Sequence, residues 1–179
     1  MIQLDDVETL EKEFDSIIQD IEANKTVQQM HEYRQHCSTD CYAHCRHVAF
    51  YSYVLCKKYG LDYRAAARAG MIHDLFLYDW RKKQDDRVGL HAFTHPKIAF
   101  RNAIQLFDLT EKEKDIIVKH MWPVTLPLPK YKESFLITFV DKYCALAESF
   151  SHYREVLMQK DLRHLANTFA IFLSAFLLF

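Results

Sequence analysis

The sequence predicts an all-α protein, a single-domain bundle of about 7–9 helices spanning residues 1–179. Three observations carry that expectation. Apolar residues recur at helical spacing along most of the chain. Only three glycines and four prolines are present, too few for the many tight turns of an all-β fold. Capping residues stand where the helical runs begin and end.

The elements follow in order. Val7, Leu10, Phe14, Ile17, Ile18 and Ile21 form one apolar stripe from Leu4 to Ile21, with acidic residues between. A second short helix is expected over Thr26 to His36, completing an N-terminal helical segment, 1–36. Ser38, Thr39 or Asp40 can cap a third helix that runs to Tyr59 and stops at Gly60. Asp62 caps a fourth, Tyr63 to about Tyr78, whose Ala65, Ala66, Ala67, Ala69 and Gly70 allow a close neighbour. Arg81 to Leu90 reads as a charged loop. Thr94 can cap the next helix with Pro96 in its first turn. Thr110 and Glu113 form a capping-box pattern before the helix that ends at His120. Pro123, Pro127 and Pro129 enforce an extended link to an apolar helix, about Glu133 to Phe150. A helical segment, 150–179, closes the chain.

Composition narrows the function classes. Half the residues are hydrophobic, 26% are charged, and the net charge is -1. That describes a globular protein without the basic bias of nucleic-acid binders. Five cysteines, an odd number, follow an acidic amphipathic Met1–Glu22 that does not resemble a signal peptide. Reduced thiols and a cytoplasmic location are therefore expected. Ala166 to Phe179 carries no charge. As a helix it spans roughly 21 Å, short of a roughly 30 Å hydrocarbon core. A core or interface helix is the first reading, with a truncated chain or membrane contact as the alternative; a homo-oligomer is left open.

Ten histidines make a metal or acid–base site the chemistry to test. His73-Asp74 lies among apolar residues near the end of the alanine-rich helix. An isolated charge there is costly unless paired or metal-bound, and a self-satisfied buried pair is the plain alternative. His44 shares a helical face with Cys41, Val48 and Leu55 and so points inward. Asp141 is an acidic group within the apolar "FLITFVDKYCALAE", and carboxylates are rarely buried without a cation.

This constellation resembles the HD-domain metal-dependent phosphohydrolases over about 42–148: His44 with Val48-Ala49, His73-Asp74 after Ala69-Gly70-Met71-Ile72, and Asp141-Lys142. His95 and His120 keep a spacing of roughly one ligand per helix and resemble the two-metal members, although the GYP signature of one subgroup is absent. The resemblance implies one metal on His44, His73, Asp74 and Asp141, and a second on His95, His120 and the other oxygen of Asp74. Helix-end roles for His95 and His120, with a single metal, remain the alternative. Imidazole and carboxylate ligands suit iron, manganese, nickel, cobalt or zinc.

The implied activity is hydrolysis of a phosphate ester of a nucleotide or another small phosphorylated metabolite. Asp74, His91 and Lys142 are the expected catalytic contributors. His91 is also a candidate ligand in place of His95, or a solvated loop histidine. Asp79 is a candidate to orient a ligand histidine, or a plain loop aspartate. The chain reads Leu75-Phe76-Leu77 where many relatives have a Gly-Lys turn, so the phosphate contacts of that turn do not carry over. A di-iron oxygenase and a non-catalytic metal-binding sensor or interaction module are the rival functions. The stretch "HCSTDCYAHCRH" looks like a local zinc site, but Cys37, Cys41 and Cys45 on one helix cannot surround an ion. They are read as small core residues.

Overall fold

The computed structural model describes residues 4–82 and 89–176, with side chains described for 7–82 and 89–154. Among the described residues it holds seven α-helices, one 3-10 turn and one two-stranded hairpin. No described helix is long and apolar enough to cross a membrane.

Helix α1, Leu4–Glu22, buries Phe14, Ile17, Ile18 and Ile21 on one stripe. Each such burial contributes about 1.5–3 kcal/mol. Asn24 then accepts from the backbone N–H groups of Thr26 and Val27, opening α2, Lys25–Gln28. The expected helix through His36 does not form. After the 3-10 turn Gln29–Glu32, the chain becomes β1, Arg34–His36, paired antiparallel with β2, Thr39–Asp40. Cys37 at φ 49 makes the tight turn between them, and a helix cannot continue through a left-handed residue.

Asp40 caps α3, Cys41–Lys58, through its carboxylate on the Ala43 N–H. Gly60 at φ 65 follows the end of that helix, and Asp62 caps α4, Tyr63–Ile72. The small residues of α4 do bring a neighbour close. A Cβ on Gly70 would lie 2.7 Å from the Ala49 Cα of α3. Helix α4 ends at Ile72 rather than near Tyr78, because His73 and Asp74 turn inward. The Leu75 N–H bonds Ile72 O and the Phe76 N–H bonds Asp74 O, closing tight turns in place of a further helical turn.

Helix α5, His91–Leu106, starts before the expected Thr94, whose hydroxyl instead bonds Leu90 O within the first turn. Pro96 consequently sits in the second turn. Helix α6, Glu111–Lys119, opens on the expected reciprocal capping box between Thr110 and Glu113. Helix α7, Lys132–Phe176, runs on without a break at residue 150. Helices α3 and α4 form the centre, with α1, α6 and α7 packed around them. Arg68 clamps α4 to α1 through Asp20, at 2.6 and 2.8 Å.

Candidate metal centre

Five segments bring their inward-facing polar groups to one place. His44 comes from α3, His73 and Asp74 from the turn after α4, and His95 from α5. His120 follows α6, and Asp141 lies on α7. All six side chains are buried.

The tautomers follow from the partners. The Nδ1 atoms of His73, His95 and His120 each lie 2.8 Å from a backbone carbonyl, of Gly70, His91 and Ile117 respectively. A carbonyl only accepts, so each Nδ1 carries a proton, and each Nε2 faces the centre. His95 Nε2 and His120 Nε2 approach to 2.8 Å, and both face Asp74 Oδ1, at 3.1 and 3.3 Å. His73 Nε2 faces Asp74 Oδ2 at 3.5 Å and Asp141 Oδ1 at 3.7 Å. His44 Nε2 stands 3.0 Å from the same Asp141 oxygen.

His73 Nε2 and Asp74 Oδ1 are buried without a hydrogen-bond partner. Such orphans are rare in native interiors. An ion at 2.0–2.2 Å from N and O ligands sets those ligand atoms about 2.8–3.6 Å apart. The observed separations fall at or close to that range, so the donor set fits divalent transition metals. Asp74 divides its two oxygens between the His73 side and the His95–His120 side. Two overlapping groups result, His44 with His73 and Asp141, and His73 with Asp74 and His120. No cysteine belongs to either group among the described residues. Cys37 is exposed, and Cys41 and Cys45 are buried free thiols whose pKa values burial pushes up.

Carboxylates and imidazoles of the cluster shift one another's pKa values. Burial alone would raise Asp74, but His73, His95 and His120 hold its carboxyl well below the usual range. Burial is likewise outweighed at Asp141, where His44 and His73 hold the carboxyl down. His120 is pushed down by burial and stays neutral, as a ligand imidazole must. His44 resists burial through Asp141 and Glu148, which together raise its pKa well above the ordinary value.

The cluster opens into a cavity of about 710 Å³, with Asp74, His95 and Asp141 in its lining. Lys142 also lines it, donating to His120 O at 3.2 Å and Thr138 O at 3.3 Å. His91 lines it too, stacked between Trp80 and His95, with its Nδ1 2.9 Å from the Tyr78 hydroxyl. His95 rather than His91 therefore meets the carboxylates. Asp79 lies apart from the cluster: Arg81 grips both its oxygens at 2.9 Å, holding its carboxyl near a pKa of about 2.

Two contributors escape sequence reasoning. Glu148 lies 3.0 Å from His44 Nδ1 and 3.1 Å from His47 Nδ1. Its signal was available, since it follows Asp141 by two helical turns and shares its face. Gln35 donates from Nε2 to Asp74 Oδ2, and no local pattern marks it. Comparison with protein-family models, curated proteins and solved structures finds no match to this chain.

Proposed function

We propose that this protein is a metal-dependent phosphohydrolase of the HD-domain type, acting on a phosphate ester of a nucleotide or another small metabolite. The observation that carries this reading is Asp74, a buried carboxylate with one oxygen toward each of two histidine groups, at the edge of an accessible cavity. His44, His73, Asp74 and Asp141 would hold one divalent ion, and His95, His120 and Asp74 a second. Ions held there supply Lewis acidity and lower the pKa of water toward neutrality.

The chain's own groups complete the chemistry. Two N–H groups of Lys142 are taken by backbone carbonyls, so the third is left for a phosphate oxygen in the cavity. Burial lowers the Lys142 pKa, and an anionic phosphate offsets that penalty. As an imidazolium, His91 donates from Nδ1 to the Tyr78 hydroxyl oxygen, 2.9 Å away, and carries a second proton on Nε2. That proton passes to the departing ester oxygen as a water oxygen replaces it on phosphorus, leaving a neutral imidazole.

One observation favours a second reading. Much of the cavity wall is apolar, formed by Trp80, Leu90, Met121 and Val124, with Lys142 its one ammonium among the described residues. A di-iron oxygenase acting on a less charged substrate fits such walls.

Elemental analysis of the purified protein, followed by assay with p-nitrophenyl phosphate and bis-p-nitrophenyl phosphate, separates the two. The expected result is about one or two transition-metal ions per chain and hydrolysis that vanishes in Asp74→Ala together with the metal. Full metal content in Asp74→Ala would overturn the site. Oxygen uptake by the iron form, without ester hydrolysis, would select the oxygenase.

A further inference from the structure

The β1–β2 hairpin brings one further polar group to the metal centre. Gln35 is the buried residue of β1, 7% exposed, between the exposed Arg34 and the half-buried His36. Both neighbours are pinned. Trp80 Nε1 donates to Arg34 O at 3.1 Å, and the His36 ring meets the His44 ring edge-to-face, with centroids 4.9 Å apart. At the open end of the hairpin the Cys41 N–H closes onto Tyr33 O at 2.8 Å. The strand is therefore held on both sides of Gln35, which borders the same cavity as Asp74, His95 and Asp141.

Only half of the Gln35 amide is used. Its Nε2 donates to Asp74 Oδ2, while Oε1 is buried with no hydrogen-bond partner. Five side-chain atoms are left this way among the described residues, and three of them, Gln35 Oε1, His73 Nε2 and Asp74 Oδ1, meet at this centre. His73 and Asp74 belong to the groups that can hold an ion. An amide oxygen is a different acceptor. It suits hard cations such as calcium, whereas a set rich in imidazole takes transition metals. Gln35 Oε1 therefore needs an O–H donor, because a buried acceptor left unpaired is costly. Ionised phosphate oxygens only accept, so the phosphate of a substrate does not supply one. A water molecule does.

We propose that Gln35 is a catalytic residue that orients the attacking water, its Oε1 accepting one O–H while its Nε2 holds Asp74. This rests on the phosphohydrolase reading given above. With one hydrogen fixed on Gln35, a lone pair of the water is turned toward phosphorus before reaction, and orientation secured in advance lowers the barrier. The water oxygen forms the new bond to phosphorus as the ester oxygen leaves with the His91 proton. Both water protons stay with the phosphate product, so the amide orients and takes no proton.

Two measurements on the full chain test this. A crystal structure of the manganese-loaded protein is expected to show an ordered water about 2.5–3.0 Å from Gln35 Oε1. Manganese directly on that oxygen, or a protein group as its sole partner, overturns the proposal. Gln35→Met, similar in shape but without the acceptor, is expected to keep its metal content and its affinity for inorganic phosphate, read by calorimetry. Its kcat for p-nitrophenyl phosphate should fall at least about tenfold with KM within about threefold of wild type. An unchanged kcat overturns the proposal. So does metal lost together with activity, since Gln35 would then act only by holding Asp74. If Gln35→Met does not fold, the crystallographic water decides alone. Hydrolysis by wild type with no effect of Gln35→Met fails this inference and leaves the phosphohydrolase reading standing, whereas metal-loaded wild type that cleaves no ester removes both.

Discussion

His44 shows how a single residue is set for its task. Its Nδ1 faces Glu148 and its Nε2 faces Asp141, so one carboxylate orients the ring and the other stands beside the nitrogen that would meet an ion. Such outer carboxylates fix tautomer and basicity of a ligand imidazole. Glu148→Gln is expected to weaken metal affinity about 10–100-fold without unfolding the protein, as read by competition with a chromogenic chelator. The same pair predicts an acid response. The Glu148 pKa is held at about 2 by His44 and His47 against the upward push of burial, from an ordinary 4.5. A depressed carboxyl stabilises the fold above its ordinary pKa and loses that contribution as pH falls through the folded value. Metal-free protein should therefore lose stability between about pH 4.5 and 2, and Glu148→Gln should flatten that slope in urea titrations.

At the scale of elements, the periodic signals in the sequence locate most helices, and Asp40, Asp62 and Thr110 act as the caps that their positions suggest. The candidate ligands were legible for the same reason, since an inward face is a consequence of helical spacing. What stayed illegible depends on tertiary partners. Gln35 reaches Asp74 only because Cys37 turns the chain into a hairpin, and the residues themselves read equally well as helix. The end of α4 is set by the buried turn at His73–Asp74, which helical spacing does not reveal. Gly70 joins both lessons. It lets α3 approach, and its carbonyl receives the His73 Nδ1–H. Gly70→Ala forces a Cβ to within 2.7 Å of the Ala49 backbone. Overpacking of that kind costs about 1–3 kcal/mol, measurable in denaturant unfolding. A loss of metal affinity should accompany it, because the displaced carbonyl orients a ligand.

For the whole molecule, the cluster is a place where α3, α4, α5, α6 and α7 all contribute a side chain or the turn that carries one. Sequence separation between ligands runs from His44 to Asp141, so an ion there ties together most of the chain. The unfolded chain presents no such arrangement, and binding therefore counts toward folding. A metal at a hundred times its dissociation constant adds about 2.7 kcal/mol. In a domain of 150–250 residues each kcal/mol moves the midpoint by about 2–4 °C. Exhaustive dialysis against a chelator should therefore lower Tm by about 5–11 °C, and restored manganese or iron should recover it. The change should vanish in Asp74→Ala, which removes the carboxylate proposed to serve both ions, but persist in His47→Ala, an exposed residue outside the cluster. An unchanged Tm after verified metal removal would mean that the helices hold these six side chains together unaided. His73 Nε2 and Asp74 Oδ1, buried with ion-pair contacts of 3.1–3.7 Å but no hydrogen bond, argue against that.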